Sequence, residues 1–181
     1  LTSVEASFNS HCRLIIVDDG SEEETRSFLR HQAHSEHVEL IRNERAKGYT
    51  AAANQGMTAS SAGFIVLLNS ETGGTPGWLQ NLVACANSDD SIGLVGPLSN
   101  TASWQSVPDI EADGDWAANS LPQDVTIREM GEAVSAYSSR LYPRISFLNG
   151  FCILIKKTVI DRIGHFDEEI FGKGYGEEND Y

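Results

Sequence analysis

The chain has 181 residues, 40% of them apolar, enough for one domain with a sizeable core. Its 26 acidic residues outnumber 13 basic ones, giving a formal charge of −13. That balance excludes a nucleic-acid groove, which needs clustered Lys and Arg, and it argues against an anionic membrane surface. Cys12, Cys85 and Cys152 are widely spaced, odd in number and form no Cys-x-x-Cys, which fits a reducing, cytoplasmic setting. No stretch approaches the ~20 apolar residues of a membrane span. No signal peptide is read at the start, and Leu1 in place of Met suggests a piece of something longer.

In chain order, Leu14-Ile15-Ile16-Val17 reads as a buried strand stopped by Asp18-Asp19-Gly20. Ser21 with Glu24 predicts a capping box and a helix to about residue 34. Val38-Glu39-Leu40-Ile41 predicts a second strand, and the Ala-rich stretch 49–59, behind Gly48, a helix. Residues 64–68 predict a third strand ending on Asn69-Ser70-Glu71. A helix from Pro76 to about Asn87 follows, and then a fourth strand over 92–95. Residues 97–125 break this rhythm. They are rich in Ser, Asp, Asn and Pro but carry Trp104 and Trp116, which predicts an ordered, partly buried excursion. A helix over 126–139, a strand over 151–155, a short helix ending at Gly164 and an acidic, Gly-rich tail complete the chain. Strands alternating with helices predict an α/β fold with a mostly parallel sheet, and ligands in such sheets bind beyond the carboxyl ends of the strands.

The polar residues after each strand are therefore the candidates. Asp18 and Asp19 follow one strand and Glu71 another. Hard oxygen ligands of this kind suit Mg²⁺ or Mn²⁺, bound by one or two carboxylates plus substrate phosphates. Asp-Asp-Gly-Ser serves equally as a strand exit and helix cap. The tail Gly176-Glu177-Glu178-Asn179-Asp180 is either a solvated acidic loop or the holder of a general base. His31, His34 and His37 share one side of a helix end but lack further ligands for zinc. No phosphate loop, dinucleotide fingerprint or Gly-x-Ser-x-Gly elbow is present. A metal bridge remains the way to hold a diphosphate on so acidic a chain.

Taken in order, "LIIVDDGSEEET", "NERAKGYTAAANQGM", "FIVLLNSET" and "FLNGFCILIKKTVIDRIGHFDEEIFGKGYGEENDY" resemble the four motif segments of family-2, GT-A-type glycosyltransferases, and the resemblance covers nearly the whole chain. "GPLSNTASWQSVP" is similar to bacterial members that build cell-surface polysaccharides. The resemblance implies a single domain over 1–181, with a nucleotide-binding half over 1–96, an excursion over 97–145 and an acceptor-side segment over 146–181. It implies an inverting transfer of a sugar from a nucleoside-diphosphate sugar to a hydroxyl of a glycan or glycolipid acceptor, assisted by Mg²⁺ or Mn²⁺. By the same resemblance Asp19, with Asp18 beside it, recognises the base. Gly48 to Asn54 lie along the nucleoside, Asn69 serves the ribose or the metal's water shell, and Glu71 ligates the metal. Gly150 and Phe151 border the donor sugar, and Glu178 is the general base with Glu177 as fallback. Asp180 lies on the acceptor side. Trp104 reads, from the residue itself, as a stacking platform for an acceptor glycan or an anchor for the excursion.

Three departures from the family pattern stand out. Asn-Ser-Glu replaces Asp-x-Asp, Glu-Glu replaces Glu-Asp, and the family's first central strand is missing ahead of a helix read over 1–8. The last predicts a gap in the sheet, filled by another segment or by a second copy in a homodimer, or a fold altered near 14–17. The chain is also read as ending early. These departures support an alternative, a GT-A-like module that binds nucleotide or glycan without turnover. A phospho-receiver domain is a rival on "LIIVDDGS", but no phospho-acceptor Asp stands at the end of the next suitable strand. The full-length protein is expected in the cytoplasm, with the inner face of the membrane as an open alternative.

Overall fold

The computed structural model describes residues 2–5 and 11–181. They fall into two compact units, one built from 2–5 and 66–156, the other from 11–65 and 157–181. Of the helix expected over 1–8, α1 (Thr2–Glu5) is seen, and residues 6–8 lie outside the described residues.

The second unit begins with β1 (Leu14–Asp19), α2 (Glu23–Gln32), β2 (Val38–Asn43) and α3 (Tyr49–Ala59). β1 and β2 pair in parallel, Leu14 opposite Val38 and Asp19 opposite Asn43, so both strands deliver their polar C-terminal residues to the same edge. α3 packs on β1. Its small residues permit a close approach: a methyl group on Gly56 would already touch the Val17 side chain. Ala51, Ala53 and Met57 turn inward, with Met57 1% exposed. The same unit ends with α6 (Lys157–Ile163) and α7 (Glu177–Asp180). There Phe166 and Tyr181 meet edge to face at 4.9 Å.

The first unit holds most of β3 (Phe64–Leu68), then α4 (Trp78–Ala86), β4 (Leu94–Val95), the hairpin β5 (Glu111–Ala112) and β6 (Asp115–Trp116), α5 (Ile127–Tyr137) and β7 (Cys152–Lys156). β7 is the central strand of the order β3-β7-β4, and its run Cys152 to Ile155 is at most 2% exposed. Four consecutive buried residues identify a strand covered on both faces. Burial pushes the Cys152 thiol up to about 12, so it acts as a small apolar core group. Leu82, Cys85 and Ala86 are the buried residues of α4, which packs on β4 and β7.

The α/β class is as expected, and among the described residues β1–β2 and β3-β7-β4 are separate sheets. The parallel reading describes β1–β2, whereas β4 and β7 pair antiparallel. Local departures have local causes. The capping box expected at Ser21 does not form. Ser21 donates its N–H back to Asp18 and gives its carbonyl to Arg42, so α2 starts at Glu23 without a side-chain cap. A box does form at Thr126 and Glu129, opening α5. α4 starts at Trp78, two residues after Pro76, because Gly77 takes the left-handed cap position. The acidic tail is not a plain loop, since its last turn is α7.

Candidate active site

In the second unit the strand tips form a hydrogen-bonded layer. Asp18 is buried; its Oδ1 accepts from the Ser21 N–H at 3.0 Å, and its Oδ2 pairs with Arg42 Nη1. Arg42 Nη2 also donates to the Ser21 carbonyl at 3.0 Å. Burial alone would raise the Asp18 carboxyl, but the bonds from Ser21 and Arg42 hold it below the usual range. Asp18 thus fixes the strand exit.

Asp19 accepts from Asn43 Nδ2 at 2.8 Å, from the Lys47 N–H at 3.0 Å on both oxygens, and from the Gly48 N–H at 2.9 Å. Burial works against its charge here too, and these donors outweigh it, so its carboxyl also lies below the usual value. Asn43 is in turn locked to Gln55, giving Nδ2 to Oε1 at 2.7 Å and accepting Nε2 at 3.1 Å. Gly48 has φ 102°, and a Cβ there would lie 2.3 Å from the Gly172 carbonyl oxygen, so this close approach requires glycine. Its neighbour Thr50 donates to the Phe171 carbonyl.

Asn54 is buried, with its amide engaged on both atoms. Its Oδ1 accepts from the Phe166 N–H at 3.0 Å, and its Nδ2 donates to the Phe166 carbonyl at 2.9 Å and to Glu168 at 2.8 Å. It is a buried clamp between α3 and the segment before the tail. Beside it lies a shallow hollow of about 340 Å³ lined by Ile41, Asn54, Gln55, Thr58, Ala59 and Glu168.

At the tail the two adjacent glutamates separate. Glu177 is 4% exposed, and its Oε2 is buried with no hydrogen-bond partner. Burial raises its carboxyl and the nearby Glu178 raises it further, a backbone bond only partly opposing them. Glu178 is half-buried and accepts the Gly176 N–H at 3.2 Å, and Asp180 is exposed. Of the two, Glu178 is the accessible side chain and Glu177 the carboxyl held toward its neutral form.

In the first unit, Asn69 and Glu71 stand beyond β3. Asn69 Nδ2 and Ser70 Oγ each donate to the Glu71 carboxylate at 3.2 Å, leaving it exposed at the strand tip. The Asn69 N–H donates to the Phe151 carbonyl at 2.9 Å, which brings Gly150-Phe151 beside the Asn-Ser-Glu turn. The Phe151 N–H donates to Asn149 Oδ1 at 3.2 Å, and the Asn149 N–H to Gln105 Oε1 at 2.7 Å. Gln105, buried, also donates to the Pro97 carbonyl at 2.7 Å. A continuous hydrogen-bonded path therefore runs from Glu71 to the turn carrying Trp104. Trp104 is 44% exposed and packs edge to face on Trp116, so it is not a core anchor.

Among the described residues no three His, Cys, Asp or Glu side chains cluster as a metal site, the three histidines included. Glu71 with Asn69 nevertheless fits the hard-cation pattern of one carboxylate completed by substrate phosphates. Arg42 and Asn43 stand among the strand-end polar residues and Thr50 in the segment expected along the nucleoside, whereas Gln55 and Gln105 carry no local signal for the bonds they make.

Comparison with known proteins gives the family and the fold. The sequence pattern of the family described as Glycosyl transferase family 2 matches residues 1–164. A pre-mycofactocin glycosyltransferase of Mycobacterium tuberculosis is 27% identical over 159 residues, covering 86% of this chain and 30% of that protein. A hyaluronan synthase of Pasteurella multocida is 26% identical over 189 residues, covering 93% of this chain and 19% of its own length. The chain thus spans under a third of these relatives. A solved mannosyltransferase from Pyrobaculum calidifontis, in complex with GDP-Man and Mn²⁺, superposes with a TM-score of 0.62 at 15% identity, over 95% of this chain and 44% of that one. At that identity the likeness is one of fold, and the fold is GT-A. With the family pattern matched over most of its length, this chain belongs to glycosyl transferase family 2.

Proposed function

We propose that the chain is the sugar-nucleotide-handling core of an inverting glycosyltransferase that passes a sugar from a nucleoside-diphosphate donor to a hydroxyl of a glycan or glycolipid. The observation that carries this reading is the bond from Asn69 to Phe151, which sets an exposed carboxylate, Glu71, against the Gly150-Phe151 turn. Asp19 accepts three internal donors, with the Lys47 N–H shared between both oxygens, so a ring N–H of uracil or thymine would take the place of one half of that shared bond. Asp18 and Arg42 fix the strand end that presents it. Gly48 lies along the nucleoside, and Asn69 serves the ribose or the metal's water shell. Gly150 and Phe151 border the donor sugar, and Asp180 faces the acceptor side. Glu71, with Asn69, would hold a divalent cation, which when bound neutralises charge on the leaving diphosphate.

Glu178 accepts the proton of the acceptor hydroxyl as its oxygen attacks the anomeric carbon. The C–O bond to the nucleoside diphosphate breaks on the opposite face, and a single displacement inverts the anomeric configuration. Buried Glu177, disfavoured as an anion, fits this reading better as a neighbour than as the base. No helix among the described residues is long and apolar enough to cross a membrane, and a cytoplasmic site of action, where nucleotide sugars are made, is part of the proposal.

Release of nucleoside diphosphate from UDP- and GDP-sugars tests it. Glu178→Gln is expected to lower turnover by about 10²–10⁴-fold while calorimetry shows nucleotide binding retained. Unchanged turnover removes Glu178 from the mechanism. A second reading, a module that binds without turnover, is favoured by one observation: the first acid of the metal motif is Asn69. Mn²⁺-dependent UDP binding with no release of nucleoside diphosphate from any donor would establish it.

A further inference from the structure

We propose that Trp104 and Trp116 together form a glycan subsite that takes uncharged sugar rings and turns away anionic ones. The inference rests on the transferase reading above and deepens its acceptor side.

The two indoles are 44% and 42% exposed, with ring centroids 4.9 Å apart and planes 71° to one another. Such an edge-to-face pair makes an apolar corner with broad ring surface open to solvent. The excursion does not use these rings as its interior. That interior is made by Ala102, Ala117, Gln105 and Ser106, each at most 4% exposed. Exposed aromatic surface on a polar loop is the usual mark of a binding place.

The corner is also held rigid. Asn119 donates through Nδ2 to the carbonyls of Asn100 and Asp109, both at 2.9 Å, and accepts the Asp109 N–H at 3.1 Å. It thereby staples both flanks of the hairpin carrying Trp116. The turn carrying Trp104 is fixed through Gln105 to Asn149, one residue before the Gly150-Phe151 turn proposed to border the donor sugar.

The chemistry of the occupant follows from shape and charge. The C–H face of a pyranose ring stacks on an indole, and ring hydroxyls donate to carboxylates. Between residues 97 and 127 stand Asp109, Glu111, Asp113, Asp115 and Asp124, with no Lys or Arg. All five are exposed. Asp115 adjoins Trp116 and Glu111 pairs with it across the hairpin, so a sugar carrying its own carboxylate, sulfate or phosphate on that indole would meet their charge within a screening length of about 8–10 Å. A neutral ring meets only acceptors for its hydroxyls.

The test titrates the whole chain with three tetrasaccharides, cellotetraose, chitotetraose in its N-acetylated form and tetragalacturonate, followed by tryptophan fluorescence and calorimetry. At least one neutral probe is expected to bind, and tetragalacturonate to bind about tenfold more weakly or not at all. Trp116→Ala, or Trp104→Ala, should weaken neutral binding by about tenfold, with Trp116→Phe recovering part of it. The triple variant Glu111→Gln/Asp113→Asn/Asp115→Asn, which removes the charge and keeps an acceptor oxygen at each position, should raise tetragalacturonate affinity severalfold relative to the neutral probes. Failure of every neutral probe to bind overturns the proposal. So does anionic binding as tight as neutral binding in the native chain, or neutral binding indifferent to both tryptophans while hairpin amide resonances stay dispersed. A chain that binds cellotetraose through the tryptophans but no sugar nucleotide keeps this subsite and sinks the transferase reading, so the two failures are told apart.

Discussion

Glu177 and Glu178 are adjacent in the chain yet differ in what surrounds them. Glu178 reaches a backbone N–H and solvent, whereas Glu177 is enclosed with an unpartnered oxygen. Burial, followed by repulsion from Glu178, raises the Glu177 carboxyl above its ordinary value. For an acid whose folded value is raised, its contribution to stability is full below the unfolded value, about 4.3, and is lost as pH rises through the folded value. Asp18 and Asp19 work in the opposite direction. Their folded values are depressed by Ser21 and Arg42, and by Lys47, Gly48 and Asn43, so their contribution is present above about pH 3.9 and lost as pH falls toward the folded values. Glu177→Gln should therefore raise the melting temperature at pH 7, have little effect near pH 4, and leave the acid limb below pH 4 in place. A melting series from pH 3 to pH 8 checks all three, and equal shifts at pH 4 and pH 7 would show that burial of the charge is not the cause.

At the scale of elements, α3 is held less by its own caps than by the segment that follows α6. Gly48 has no side-chain cap to offer, and Asn54 makes its bonds to Phe166 and Glu168 across 112 and 114 residues of sequence. Asn54→Ala leaves buried backbone groups of Phe166 without partners, and the expected cost is about 1–3 kcal/mol. Hydrogen exchange adds a specific signature: the Phe166 amide should lose protection while the β1–β2 amides keep theirs.

The same bonds mark where sequence reading stops. α3 and β3 are legible to the residue, because an Ala-rich run behind a glycine and a five-residue apolar run are local signals. The strand-tip positions of Asp19 and Glu71 follow from the same alternation. What Asp18 and Asn54 do does not. Their types and spacing fit a ligand-facing role, and only tertiary partners, Arg42 for one and Phe166 for the other, use up their polar atoms. The Ser21 cap failed for a related reason, since a distant Arg42 competes for the carbonyl that the helix would have used. The Trp104–Trp116 contact needs a hairpin closed at Asp113-Gly114, with φ 54° and 83°, which no apolar period announces.

For the whole molecule, the β1 edge left unpaired among the described residues and the net charge oppose one another. Among the described residues β1 pairs only with β2, and its apolar run Leu14 to Val17 is half-buried rather than enclosed. An unpaired apolar edge is a template for another strand, and a second copy of the chain can supply one. Against this stands a charge of −13 on each copy, whose mutual repulsion is long-ranged at low salt. Screening decides between them: the Debye length falls from about 30 Å at 0.01 M to about 3 Å at 1 M salt. The 181-residue chain should therefore sediment as a monomer at low ionic strength and associate as salt rises, the reverse of an assembly held by ion pairs. Ile16→Lys, which puts a charge on the edge strand, should suppress the salt-induced association, with a urea melt confirming that the variant is folded. A monomer at every salt and protein concentration would mean that the β1 edge is already closed to partners.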